Sequence, residues 1–93
     1  KIENKFGNSG DLLIYHDSNN SIISNSNGEL LIDGDILSLR AGSASDLYLY
    51  AVKDGAVTLH HAGSGKLSTS STGVTVTGTV VATAFSGPLT GNV

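Results

Sequence analysis

The chain alternates between apolar and polar positions. In "DLLIYHD" (residues 11–17), Leu12, Ile14 and His16 fall on one side of an extended backbone, and Leu13 and Tyr15 on the other. "ELLID" puts Leu30 with Ile32, and "DILSLRA" puts Leu37 with Leu39 against Ser38 and Arg40. "DLYLYAVKD" sets Leu47, Leu49 and Ala51 against Tyr48, Tyr50 and Val52. "AVTLHH" sets Val57, Leu59 and His61 against Thr58 and His60, and "GVTVTG" sets Val74 and Val76 against Thr75 and Thr77. These short segments fit a period of two and predict strands. Glycines and polar clusters such as "SNNS" and "NSNG" interrupt windows long enough for a helix. The expected fold is all-β.

The punctuation supports the same reading. Asp-Gly occurs at 33–34 and 54–55 and Asn-Gly at 27–28, pairs that accept positive φ and favour tight turns. Asp11-Leu12, Glu29-Leu30 and Asp46-Leu47 open their segments alike, at irregular spacing, which makes a loose repeat of strand and turn. After Lys66 the composition changes: residues 67–93 carry no charge and hold seven of the eight threonines. Two regions are therefore expected, a strand-turn region over 1–66 and a Thr/Val/Gly-rich continuation over 67–93, with the strand pattern running on. Gly78 is expected to shift the phase, and Pro88 in "SGPLTG" reads as a turn.

Composition limits what these strands can build. The chain has 93 residues, two Phe, no Trp and no Met, so few large side chains are available for a thick single-chain core. Burial between chains is one way to offset the cost of ordering the backbone. Without cysteine there is neither a disulfide nor a thiolate metal site. A net charge of −3 and five scattered Lys and Arg residues argue against nucleic acid as a partner. No apolar run approaches the ~18–20 residues of a membrane-spanning helix, and no signal-peptide pattern opens the chain. The start at Lys1 reads as a piece of something longer.

Chemical candidates are few. His16 beside Asp17 has the residue types of a base and its orienter, but successive strand residues point to opposite faces, and no nucleophile accompanies them. His16 and His61 are the candidate metal ligands, each needing copies from other chains to complete a site. Alternation separates His60 from His61, so the pair does not chelate. "IDGDIL" is only a fragment of a calcium loop, and its aspartates read as turn caps. "AGSGK" lacks the first Gly and the Lys-Ser/Thr ending of a phosphate loop. Tyr48 and Tyr50 read as a packing pair, or as a platform for a sugar ring.

"GDLLIYHD", "GELLIDG", "GAVTLHHAGSGKLSTSSTGVTVTG" and "VVATAFSGPLTGNV", in this order, resemble tail-fibre and related structural proteins of bacteriophages, most of all those of the marine cyanophage type. The resemblance covers most of residues 7–93. His60 and His61 stand where that pattern often has two tyrosines. The resemblance implies an elongated homotrimeric β-structure, an intertwined triple β-helix or β-prism-like fibre segment, located in the extracellular virion tail. It further implies a rigid shaft or tip supporting host attachment, contacts with other fibre segments or virion tail proteins, and a host surface polysaccharide as a further partner. No enzymatic activity, cofactor or membrane insertion is expected. The expected trimer core is Leu12, Ile14, Leu30, Ile32, Leu37, Leu39, Leu47, Leu49, Val57, Leu59, Val74 and Val76. Two other classes stay open: a monomeric carbohydrate-binding β-sandwich using the tyrosines, and a fragment of a tail-spike depolymerase, which needs paired carboxylates across a groove.

Overall fold

The computed structural model describes residues 2–42 and 45–91. Lys1, where the chain opens, and Asn92 and Val93, which close the last stretch of the resemblance, lie outside the described residues. All regular structure among the described residues is strand: β1 (Glu3–Phe6), β2 (Leu12–His16), β3 (Ser21–Asn25), β4 (Ile36–Arg40), β5 (Leu47–Val52), β6 (Val57–His61), β7 (Ser64–Ser70) and β8 (Gly73–Val76). They form two antiparallel sheets, one in the order β1-β2-β3 and one in the order β4-β5-β6-β7-β8. The chain divides into two compact units between Ile32 and Asp33. The composition change at Lys66 falls inside β7, so the charge-free stretch supplies the rest of that strand and all of β8.

Local chemistry sets the turns. Between β2 and β3 the Asp17 carboxylate accepts from the Asn19 and Asn20 backbone N–H groups at 2.8 and 2.6 Å, and the Asp17 N–H donates to the Asn20 carbonyl at 2.9 Å. This is the local capping that favours Asp at turns. β6 and β7 are joined through Ala62 and Gly63, both at positive φ (+49° and +82°), with His61 paired to Ser64. A two-residue loop with positive φ at both positions has the twist that antiparallel strands require. Gly63 also has no room for a side chain, since a Cβ there would lie 2.8 Å from the Ser45 carbonyl oxygen. Between β5 and β6 the residue at positive φ is Asp54 (+58°), held within a loop closed by Val52 N–H to Ala56 O at 3.1 Å.

Four elements differ from the alternation reading. β1, β3 and β7 are additional strands, and "ELLID" forms none: Leu30, Leu31 and Ile32 lie in the connection between β3 and β4, at 46, 68 and 64% exposure. An alternating run becomes a strand only where another strand offers its hydrogen bonds, and none does so here. After Thr77, whose N–H donates to the Lys66 carbonyl at 2.8 Å, no strand follows among the described residues. The chain bends at Gly87 and Gly91 rather than forming a hydrogen-bonded turn at Pro88.

The described residues contain no buried side chain, apolar or polar. Each sheet is a single layer of backbone, and its apolar side chains stay partly in water.

Candidate functional site

The feature that organises the larger unit is a row of direct cross-strand partners. Leu39 opposes Leu49, Leu49 opposes Leu59, Leu59 opposes Leu67 and Leu67 opposes Val76, so one aliphatic residue from each of the five strands stands in line. Directly opposed residues share a face of the sheet. A second line beside it holds Leu37, Ala51 and Val57 through direct pairs, and Val74 with Thr69. Thr69 is the polar member of this face. Its hydroxyl accepts the Val57 N–H at 2.9 Å, which ties the oxygen to the backbone.

The opposite face carries hydroxyls in the corresponding line. Ser38 pairs with Tyr50, Tyr50 with Thr58, Thr58 with Ser68 and Ser68 with Thr75. The Thr58 and Ser68 hydroxyls hydrogen-bond at 3.1 Å. One side of the sheet is thus aliphatic across its whole width and the other hydroxylated. Exposure shows how incomplete the cover of the aliphatic side is: Leu39 keeps 50%, Leu59 45% and Val74 58% of its surface in solvent. Completing the burial of such side chains is worth on the order of 1 kcal/mol each, given roughly 1.5–3 kcal/mol for full burial.

Two bulges adjust which residues join the row. Leu39 pairs with Leu49 but Arg40 with Leu47, which leaves Tyr48 as the extra residue in β5. Pairing therefore sets Leu47 opposite Arg40 instead of carrying it into the Leu39–Leu49 line. In β7 the extra residue is Lys66: Leu59 pairs with Leu67 and His60 with Gly65. This step is what admits Leu67 to the aliphatic line. A Cβ on Gly65 would meet Thr58 Cγ2 at 3.1 Å, consistent with Gly65 lying on the hydroxyl side.

The smaller sheet is apolar on both faces. On one face Phe6 opposes Leu12 and Ile14 opposes Ile23; Phe6, Ile14 and Ile23 keep 52, 40 and 61% exposure. On the other, Tyr15 opposes Ile22 and Leu13 opposes Ser24, all half-buried. Leu12 and Ile14 therefore share a face with Phe6 and Ile23, two residues that alternation alone did not find. The "DSNN" turn and the glycines at 7 and 10 were the available signal, since each places a partner strand at hairpin distance from β2.

The polar candidates do not converge. His16 Nδ1 is hydrogen-bonded to Ser21 Oγ at 2.9 Å, and Asp17 is engaged in its turn. His61 ends β6 opposite Ser64, while His60 pairs with Gly65 and has an Nδ1 shielded from solvent without a partner. Among the described residues no three His, Asp or Glu side chains gather in a metal-binding cluster. An open recess of about 410 Å3 lies beside the β1–β2 turn, lined by Glu3, Lys5, the 7–10 turn and Leu13. Its Lys5 Nζ and Glu3 Oε1 stand 3.6 Å apart, a surface pair of small energetic weight. No helix among the described residues is long and apolar enough to cross a membrane.

No family model, curated protein or solved structure matches the chain.

Proposed function

We propose that this chain is a structural segment of a viral tail fibre or appendage, acting as a homotrimer in a rigid shaft or tip that supports attachment to a host surface. The observation that carries the reading is the uncovered aliphatic line Leu39–Leu49–Leu59–Leu67–Val76 on a single-layered sheet with no buried residue behind it. An exposed apolar surface of this continuity calls for a cover. Copies of the same chain supply one of matching chemistry, and closed symmetry is the common way to bury it.

The role is mechanical. Leu, Ile and Val rows from three chains pack against one another in an elongated β-helical or prism-like shaft, and no residue performs catalysis. Its partners are other fibre segments or virion tail proteins, with host surface polysaccharide at the attachment end, and its place is the extracellular virion. No metal is part of this reading; His16 and His61 would become ligands only if the assembly set three copies of either on its axis.

Light scattering coupled to size exclusion tests the assembly directly. A mass of three chains is expected at micromolar concentration. A stable monomer would remove the reading, since the aliphatic line would then function uncovered.

A further inference from the structure

We infer that Asn27 is a site of spontaneous deamidation, and that it is the position where this chain changes chemically first. Asn27 is exposed in the connection after β3, and the residue that follows is Gly28. Gly28 has φ +78°, and no atom beyond its chain neighbours lies within 4 Å of where its Cβ would sit, so the residue that follows Asn27 has no side chain and stands open on that side. The Gly28 carbonyl is held by Asn25 Nδ2 at 2.9 Å. Among the described residues, the Gly28 N–H has no hydrogen-bond partner. The peptide nitrogen that must act as nucleophile is therefore unengaged.

The reaction needs only water. The Gly28 nitrogen gives up its proton and attacks Asn27 Cγ; the N–Cγ bond forms, the Cγ–Nδ2 bond breaks, and Nδ2 leaves as ammonia with the proton. Water then opens the five-membered imide at either carbonyl, giving aspartate or isoaspartate at position 27. The product carries one further negative charge, taking the formal net charge from −3 to −4, close to Glu29 in the connection between β3 and β4. The isoaspartate form also adds a carbon to the backbone path there.

Three other asparagines, Asn8, Asn19 and Asn25, separate from Asn27 on local structure. After Asn25, the Ser26 N–H is committed to the Asp11 carbonyl at 2.9 Å; after Asn19, the Asn20 N–H is committed to Asp17 Oδ1. Attack at either position requires that bond to open first. Asn8 lies exposed in the β1–β2 turn, but Ser9 presents a side chain beside its nitrogen. The structure therefore ranks Asn27 ahead of Asn8, and both ahead of Asn19 and Asn25.

The test incubates the intact wild-type chain in mildly alkaline buffer prepared with 18O-water, in parallel with the same chain in strong urea. Peptide mapping follows label uptake at each asparagine, and an isoaspartate-specific methyltransferase counts the rearranged product. Asn27 should be modified first, at a rate within about threefold of the denatured chain, while Asn19 and Asn25 should slow at least about tenfold on folding because local opening limits them. Folding that protects Asn27 as strongly as Asn25, or modification of Asn8 ahead of Asn27, would overturn the assignment. Neither readout depends on the number of chains in the assembly.

Discussion

Leu49 and Leu59 are direct cross-strand partners at the middle of the five-stranded sheet, and neither is buried. In a sheet that completed its own core, this central pair would be the first to lose contact with water. Here Leu59 keeps 45% of its surface. The consequences of that exposure distinguish a surface waiting for a partner chain from one that is indifferent.

Leu49→Asp and Thr75→Asp place the same charge on opposite faces. At Leu49, threefold assembly would bring three carboxylates together in an apolar layer, where each lacks a counter-ion and all cannot ionise cheaply. The expected cost is several kcal/mol, enough to abolish the trimer. Thr75 is exposed on the hydroxyl side, where the same substitution should cost less than about 1 kcal/mol. Trimer fraction and Tm are read for both. Loss of the trimer in Thr75→Asp alone would exchange the inner and outer faces, and no effect in either variant would remove this face from assembly.

Ala62 holds φ +49°, a conformation that costs an L-residue with a Cβ roughly 1–2 kcal/mol. Asparagine tolerates it better, and Asn-Gly is the preferred pair for a two-residue hairpin. Ala62→Asn should raise stability by about 0.5–1 kcal/mol, seen as a higher Tm. Gly63→Ala should lower it, because its φ is +82° and the new methyl would meet the Ser45 carbonyl.

Thr69→Val keeps the branched shape but deletes the acceptor for the Val57 N–H. A loss of about 1 kcal/mol is expected, the typical net worth of one such bond. Thr75→Val serves as the control and should stay within about 0.5 kcal/mol, the range of substitutions that break no specific interaction. Equal effects in chemical denaturation would show that the Thr69 bond contributes nothing.

Asp17→Ala removes the carboxylate that gathers two backbone N–H groups in the β2–β3 turn, and about 1 kcal/mol of stability should go with it. Asp17→Asn retains a side-chain carbonyl and should lose less. On the proposed mechanical role, neither variant has an activity to lose. Polysaccharide cleavage by the wild type that vanishes in Asp17→Asn would overturn the non-enzymatic reading.

The alternation of "DILSLRA", "DLYLYAVKD", "AVTLHH" and "GVTVTG" was sufficient to locate β4, β5, β6 and β8 and to divide most of their residues between two faces, because side-chain direction along an extended chain is a local property. The all-β class and several turns were legible for the same reason: Gly, Asp and Asn act on φ within a few residues of themselves. Partnership was not legible. β1 ("ENKF"), β3 ("SIISN") and β7 ("SGKLSTS") have weak or broken alternation and are strands because a neighbour supplies the ladder, while "ELLID" alternates well and has no neighbour. Register was likewise beyond the pattern. A bulge shifts every later pair by one residue, which is how Lys66 admits Leu67 to the aliphatic line and Tyr48 sets Leu47 opposite Arg40. The sequence by itself thus determined, for the strands whose alternation is clear, which residue types they present and how most of them divide between two sides. Only the tertiary structure decided which strands stand next to one another, and so that five aliphatic residues from five strands form one uncovered line.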